Sequence, residues 1–149
     1  MHQHICQTEA YDISWIEGSQ CLVVVVREGV QGFRGVSKFF SSLREARSAK
    51  AAEGWVLDLR KSHKIPEELW NWVHASWFPQ LTDEGLRRQA LILPEAAAAR
   101  SQWRGLEISA LSQEEFSSLP RAIMWLGTEF GTAPVRQRSR ISAPVRARL

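Results

Sequence analysis

The side chains with the most chemical potential in this 149-residue chain follow one apolar run. Trp55–Leu59 carries Asp58 near its end, and Arg60, Lys61, His63 and Lys64 come directly after it. An arginine flanked by lysine and histidine suits a carboxylate or phosphate, which its planar fork grips through two parallel hydrogen bonds. Arg27 closes an earlier apolar run and would fall on the same rim, because open α/β sheets bind ligands beyond the carboxyl ends of their parallel strands. The candidate ligand set is therefore Arg27, Asp58, Arg60, Lys61 and His63, with a small anionic ligand as the expected occupant. The competing reading is a solvated basic loop in which Asp58 pairs with Arg60 or caps a turn. Sequence leaves both open.

A second feature is the tryptophans, seven in all. Trp70, Trp72 and Trp77 share one helical segment but not one face. At about 100° per residue, Trp70 and Trp77 lie with Val73 on the apolar side and Trp72 points elsewhere. An exposed Trp72, with Phe78 or Trp103 nearby, would suit a protein–protein contact, since tryptophan is enriched at interface hot spots. A homodimer formed through this helix is one expectation, and partial burial of Trp72 against a neighbouring helix is the other.

Catalytic patterns are missing. The four histidines are His2 and His4 near the terminus, His63 in a loop and His74 on the tryptophan helix. There is no Gly-x-Ser-x-Gly elbow, Cys-x-x-Cys, His-Glu-x-x-His or glycine-rich phosphate loop. His2-x-His4 offers only two metal ligands, too few for a site. Cys21 opens a buried run and reads as a small core residue. The expectation is a protein that is not an enzyme and has no catalytic residues, no metal and no cofactor.

The elements that position these residues follow from size and periodicity. The length suits one domain with its own core. The longest apolar run, Cys21–Val26, is far short of the roughly 20 residues that span a bilayer. The first residues lack the basic and apolar regions of a signal peptide, so a cytoplasmic location with reduced Cys6 and Cys21 is expected. A disulfide would require the two cysteines to sit on neighbouring strands.

Charge is unevenly divided. Of the 19 basic residues, the tail Gly131–Leu149 holds Arg136, Arg138, Arg140, Arg146 and Arg148 and no acid. The body keeps 14 basic against 16 acidic residues, a net of −2. A basic appendage on an acidic body argues against a broad nucleic-acid face. Nucleic acid or anionic lipid is considered only through the tail, which repeats Ala133-Pro134-Val135-Arg136 as Ala143-Pro144-Val145-Arg146 and is expected to be disordered or extended.

Tyr11, Ile13 and Trp15 alternate with Asp12 and Ser14, a strand pattern. The turn cluster Glu17–Gln20 then leads to Cys21–Arg27, apolar on both faces, which argues for an antiparallel hairpin with a central second strand. Phe33, Val36, Phe40 and Leu43 predict a helix over about 31–52. Strands follow at 55–59, 89–93 and 106–110. Helices are predicted from Pro66 to near Pro79, at 96–103 and at 120–129. The order is ββαβαβαβα, an α/β single domain with a mostly parallel five-stranded sheet and an antiparallel N-terminal hairpin strand. Residues 1–10 form an N-terminal extension, 11–130 the domain and 131–149 the tail.

This order resembles the STAS domain (sulfate transporter and anti-sigma-factor antagonist), within the STAS-like, or SpoIIAA-like, superfamily. Residues 55–95 resemble small bacterial STAS-like proteins, through the strand ending Asp58-Leu59-Arg60, the tryptophan-rich helix, and the strand end from Ala90 to Pro94-Glu95. The resemblance covers roughly residues 10–130. In antagonist-type members, it implies a phosphorylatable hydroxyl on a turn at the start of the helix after this strand. Here Pro66-Glu67-Glu68 stands at that position, so the phosphoswitch is expected to be absent. The combined reading is a non-catalytic, interaction or regulatory STAS-like module that binds a protein or a small anion. The alternative is a lipid- or metabolite-binding protein with a pocket between the sheet and the tryptophan helix. An enzyme ranks third.

Overall fold

The computed structural model describes residues 2–27 and 32–132, with side chains through residue 127. The expected arginine-rich tail lies outside the described residues apart from its first two positions. Six strands form one sheet in sequential order, β1 (His2–Gln7), β2 (Tyr11–Ile16), β3 (Cys21–Val26), β4 (Gly54–Asp58), β5 (Arg88–Ile92) and β6 (Ser112–Glu115). The pairs β1/β2 and β2/β3 are antiparallel, and β3/β4, β4/β5 and β5/β6 are parallel. The expected mixed sheet with its antiparallel hairpin is present.

Helices connect the parallel strands, as parallel pairing requires. Helix α1 (Gly32–Lys50) links β3 to β4, and a continuous helical segment links β4 to β5. That segment consists of α2 (Glu67–Trp72), a π-helical turn (Val73–Trp77) and α3 (Phe78–Glu84). Helix α4 (Ala97–Arg104) links β5 to β6. Because the parallel strands lie in sequential order, all three crossovers cover one face, where their apolar side chains meet Ile13, Trp15, Leu22, Val24, Trp55 and Leu57. Helix α5 (Leu119–Thr132) returns over the other face, setting Ala122 and Leu126 against Cys21, Val23, Val56, Ala90 and Ile92. Strand β4, buried at every position, carries the candidate site at its carboxyl end.

Three expectations need correction. The sheet has six strands and not five, because His2–Gln7 is an edge strand. Its exposed His2, Gln3 and His4 hide the alternation that marks a half-buried strand. It is held laterally by Lys50 Nζ donating to Gln3 Oε1 at 2.9 Å and by His4 Nδ1 lying 3.1 Å from Asp12 Oδ1. The last strand is Ser112–Glu115, not 106–110. Leu106 is instead a core residue, and Ala110 adopts a left-handed φ of 69° in the turn before the strand. Polar β6 is set by pairing, with Ser112 N–H donating to Arg87 O at 2.9 Å and Phe116 N–H to Leu91 O at 2.8 Å. The tryptophan helix does not stop at Pro79. The Phe78 N–H reaches Val73 O across the π turn, and Pro79 then falls in the first turn of α3, where its missing donor is tolerated. Cys6 and Cys21 are free thiols, as expected, on β1 and β3, which β2 separates.

Two buried polar devices fasten the base of the sheet. Arg47, 6% exposed near the end of α1, donates from Nη1 to Ala52 O at 2.7 Å and so holds the turn into β4. An amide chain crosses three strands. Trp55 Nε1 donates to Gln89 Oε1 at 2.6 Å, Gln89 Nε2 donates to Gln113 Oε1 at 2.7 Å, and Gln113 Nε2 donates to Leu106 O at 3.3 Å. Trp55 and Gln89 are fully buried, so their polar groups lack water as a substitute partner. Gln89→Met keeps the volume and removes both central bonds, and is expected to lower stability by about 1–3 kcal/mol in urea unfolding. Gln113→Met, at the half-exposed end of the chain, should cost less.

Candidate functional site

Strand β4 delivers Asp58 to the rim with its carboxylate 4% exposed as a residue, and the chain turns immediately at Arg60. Arg60 Nε lies 3.0 Å and Nη2 2.7 Å from the two Asp58 oxygens, a bidentate pair. This hydrogen bonding, then the Asp58 charge, and more weakly Glu95, push the Arg60 guanidinium further up, so it is permanently charged. The fork that would grip an anion is committed to Asp58. Arg27 turns the other way, its Nη2 donating to Tyr11 O at 3.4 Å and its Nη1 lying 3.7 Å from Asp12 Oδ2. The two arginines thus serve separate carboxylates. Lys61, His63 and Lys64 are exposed and make no ion pair among the described residues.

The loop carrying these side chains is closely held. Leu59 N–H donates to Ile92 O at 2.9 Å, Ser62 Oγ to Leu59 O at 2.6 Å, and Glu95 N–H to Arg60 O at 3.0 Å. Buried Ile65 is clasped by the side chain of Gln102 on α4, which accepts from Ile65 N–H and donates to Ile65 O, both at 2.8 Å. Pro66 follows, and α2 begins at Glu67 without a side-chain cap. Glu67 and Glu68 occupy its first turn, where carboxylates favour the positive end of the helix dipole. Gln102 was invisible to sequence reasoning, because its partner is a backbone group and no residue type announces that.

The tryptophans divide as follows. Trp77 is 2% exposed, stacked on Trp55 at 6.1 Å and edge-on to Phe40 at 4.5 Å. Trp70 is half-buried against Trp103 at 5.1 Å. Trp72 is 44% exposed. Phe78 and Trp103, expected beside it on an interface, are instead core residues at 0% and 1% exposure, packed edge-to-face on each other at 6.3 Å. Their rings fill the space between sheet and tryptophan helix that a lipid or metabolite pocket would need. A cavity of about 20 Å³ at the rim, lined by Val26, Phe40, Leu59, His63, Ile65 and Trp103, has room for about one water.

The remaining reactive groups are dispersed. Among the described residues, no three His, Cys, Asp or Glu side chains converge as metal ligands. His74 Nε2 lies 3.2 Å from Glu107 O, and the tilted rings of His2 and His4 lie 5.1 Å apart on β1. Burial pushes the Cys21 thiol up to about 12. Among the described residues no helix is long and apolar enough to cross a membrane.

Neither protein-family models nor curated proteins provide a match to this chain. Among solved structures, a serine-to-glutamate variant of RsbS from Moorella thermoacetica matches with a TM-score of 0.56 and 19% identity, over 80% of this chain and 97% of that one. RsbS is a STAS-domain protein. The fold is STAS-like. In this STAS-like domain α2 starts with Pro66, Glu67 and Glu68, two carboxylates and no hydroxyl, and Trp72 at its end is exposed.

Two measurements check this geometry. A thiol reagent at pH 8 should titrate Cys6 in the native protein and reach Cys21 only after denaturation, because a thiol titrating near 12 holds almost no thiolate. Trp77→Ala should cost about 3–5 kcal/mol in urea unfolding, whereas Trp72→Ala should stay within about 1 kcal/mol of the parent.

Proposed function

We propose that this chain is a non-catalytic, STAS-like regulatory module of the bacterial cytoplasm that works by binding a protein partner through the face of α2. The observation that carries the reading is Trp72. It is 44% exposed on a helix whose other two tryptophans are packed into the fold. A large aromatic ring kept in water costs free energy that burial in a complex would recover, about 25 cal/mol per Å² of apolar surface. Tryptophans so placed are where binding energy concentrates.

The fold adds support, since RsbS is a regulator built on the same architecture. The chemistry at the start of α2 points to binding that phosphorylation there does not govern. Pro66, Glu67 and Glu68 offer no hydroxyl to modify. With Arg60 forked onto Asp58 and the space beside the tryptophan helix filled by rings, a protein partner fits this face better than a small anion or a lipid.

The test places a photo-crosslinking amino acid at Trp72, and separately at exposed Ser101 on α4, in cells of the native host. A discrete covalent adduct from position 72 and none from position 101 is expected. An adduct of twice the chain's mass would make the partner a second copy. The absence of any adduct from position 72, with the protein folded and expressed at native level, removes the reading.

A further inference from the structure

We infer that Gln102 is a positioning residue for the α2 face: by clasping the backbone of Ile65 it sets where α2 begins and how Trp72 is presented. The inference rests on the reading of Trp72 as the contact residue, and it names what controls that contact.

The side-chain amide of Gln102 makes two hydrogen bonds to one residue of a loop distant in sequence. Nε2 donates to Ile65 O and Oε1 accepts from Ile65 N–H, each at 2.8 Å. One bond would fix a distance. Two from a planar amide to both polar groups of the same residue also fix the orientation of the local backbone. That orientation is passed on stiffly. The next residue is Pro66, at φ −52° and ψ 140°, whose ring locks φ, and the first turn of α2 follows at once with no side-chain cap to take up slack.

The neighbouring residue on α4 acts on the same helix. Trp103, 1% exposed, meets the ring of Trp70 edge-on at 5.1 Å. Helix α4 therefore grips the α2 region twice, through the backbone at Ile65 and through a side chain at Trp70. The segment leading into α4 also holds the start of the loop, where Glu95 N–H donates to Arg60 O at 3.0 Å. Trp72, two residues beyond Trp70, points to solvent from a helix whose start and inner side are both set by α4. A shift of α4 is thereby a change in the recognition face.

The experiment uses the full chain labelled with 5-fluorotryptophan, with the Trp72 resonance assigned through Trp72→Phe, together with amide hydrogen exchange at Ile65. Gln102→Met keeps the volume and removes both bonds. Exchange at Ile65 is expected to rise about tenfold or more, and the Trp72 fluorine resonance to shift or broaden. Trp15 and Trp125, on other elements, should keep their resonances. Gln102→Glu supplies the discriminating case. As a carboxylate it can still accept from Ile65 N–H but repels Ile65 O, so the Trp72 signal should move toward that of the methionine variant. Protonated, it donates to Ile65 O and accepts from Ile65 N–H, so the parental Trp72 signal should return as the pH falls through about 4–5.

A Trp72 resonance that stays put while Ile65 exchange rises, an Ile65 exchange rate unchanged in Gln102→Met, or a glutamate variant with no acid-dependent return would each overturn the inference. A methionine variant that fails to fold leaves the decision to the glutamate variant, whose two states are compared in one protein. None of these readouts needs a partner, so they stand or fall separately from the crosslinking at position 72.

Discussion

The packing of Trp77 between Trp55 and Phe40 is the contact on which the rest of the site depends. It joins β4, α1 and the helix after β4 at a single point, with rings 6.1 and 4.5 Å apart. Because Trp77 ends a π turn, anchoring it sets the rotation of the preceding helix. Leu69 and Val73 are then turned inward, Trp70 toward α4 and Trp72 outward. A large ring leaves few alternative rotations, since interiors are close-packed and a misplaced tryptophan opens a void that nothing nearby could fill.

Around that anchor the domain separates support from presentation. The base of the sheet is secured by buried polar contacts, Arg47 on Ala52 and the amide chain from Trp55 through Gln89 to Gln113. The rim is secured by short-range bonds within the loop and by the Gln102 clasp. The strongest potential anion ligand on it, Arg60, is paired with Asp58, while Lys61, His63 and Lys64 are exposed. Such a rim presents a defined, closely held surface.

Period-two and helical patterns carried the domain's overall order from the chain alone. Alternation at Tyr11–Trp15 and the spacing of Val36, Phe40 and Leu43 reflect a buried face, and the run Cys21–Val26 reflects burial on both faces. The structure contains all three, whereas Phe33, expected on the same helix face, is exposed. Edge strands were less legible. Strand β1 exposes both histidines and β6 is Ser-Gln-Glu-Glu, so neither shows the apolar face that pattern reading relies on, and both are strands because a neighbour supplies the ladder. Phe78 and Trp103 were misplaced for the opposite reason. Aromatic residues look alike as core or as interface until the neighbouring elements are located.

For the site, the sequence by itself determined which chemistry was available: a basic stretch after β4, a helix start with carboxylates in place of a hydroxyl, and a tryptophan off the apolar stripe. Those are properties of residue type and spacing, and folding cannot alter them. Only the tertiary structure decided how they are used. Whether Arg60 reaches outward or folds onto Asp58 depends on a turn geometry that residue types do not encode, and whether the loop is free depends on an amide 37 residues away in sequence. Side chain-to-backbone bonds of that range carry no pattern along the chain, because one partner is the same in every residue.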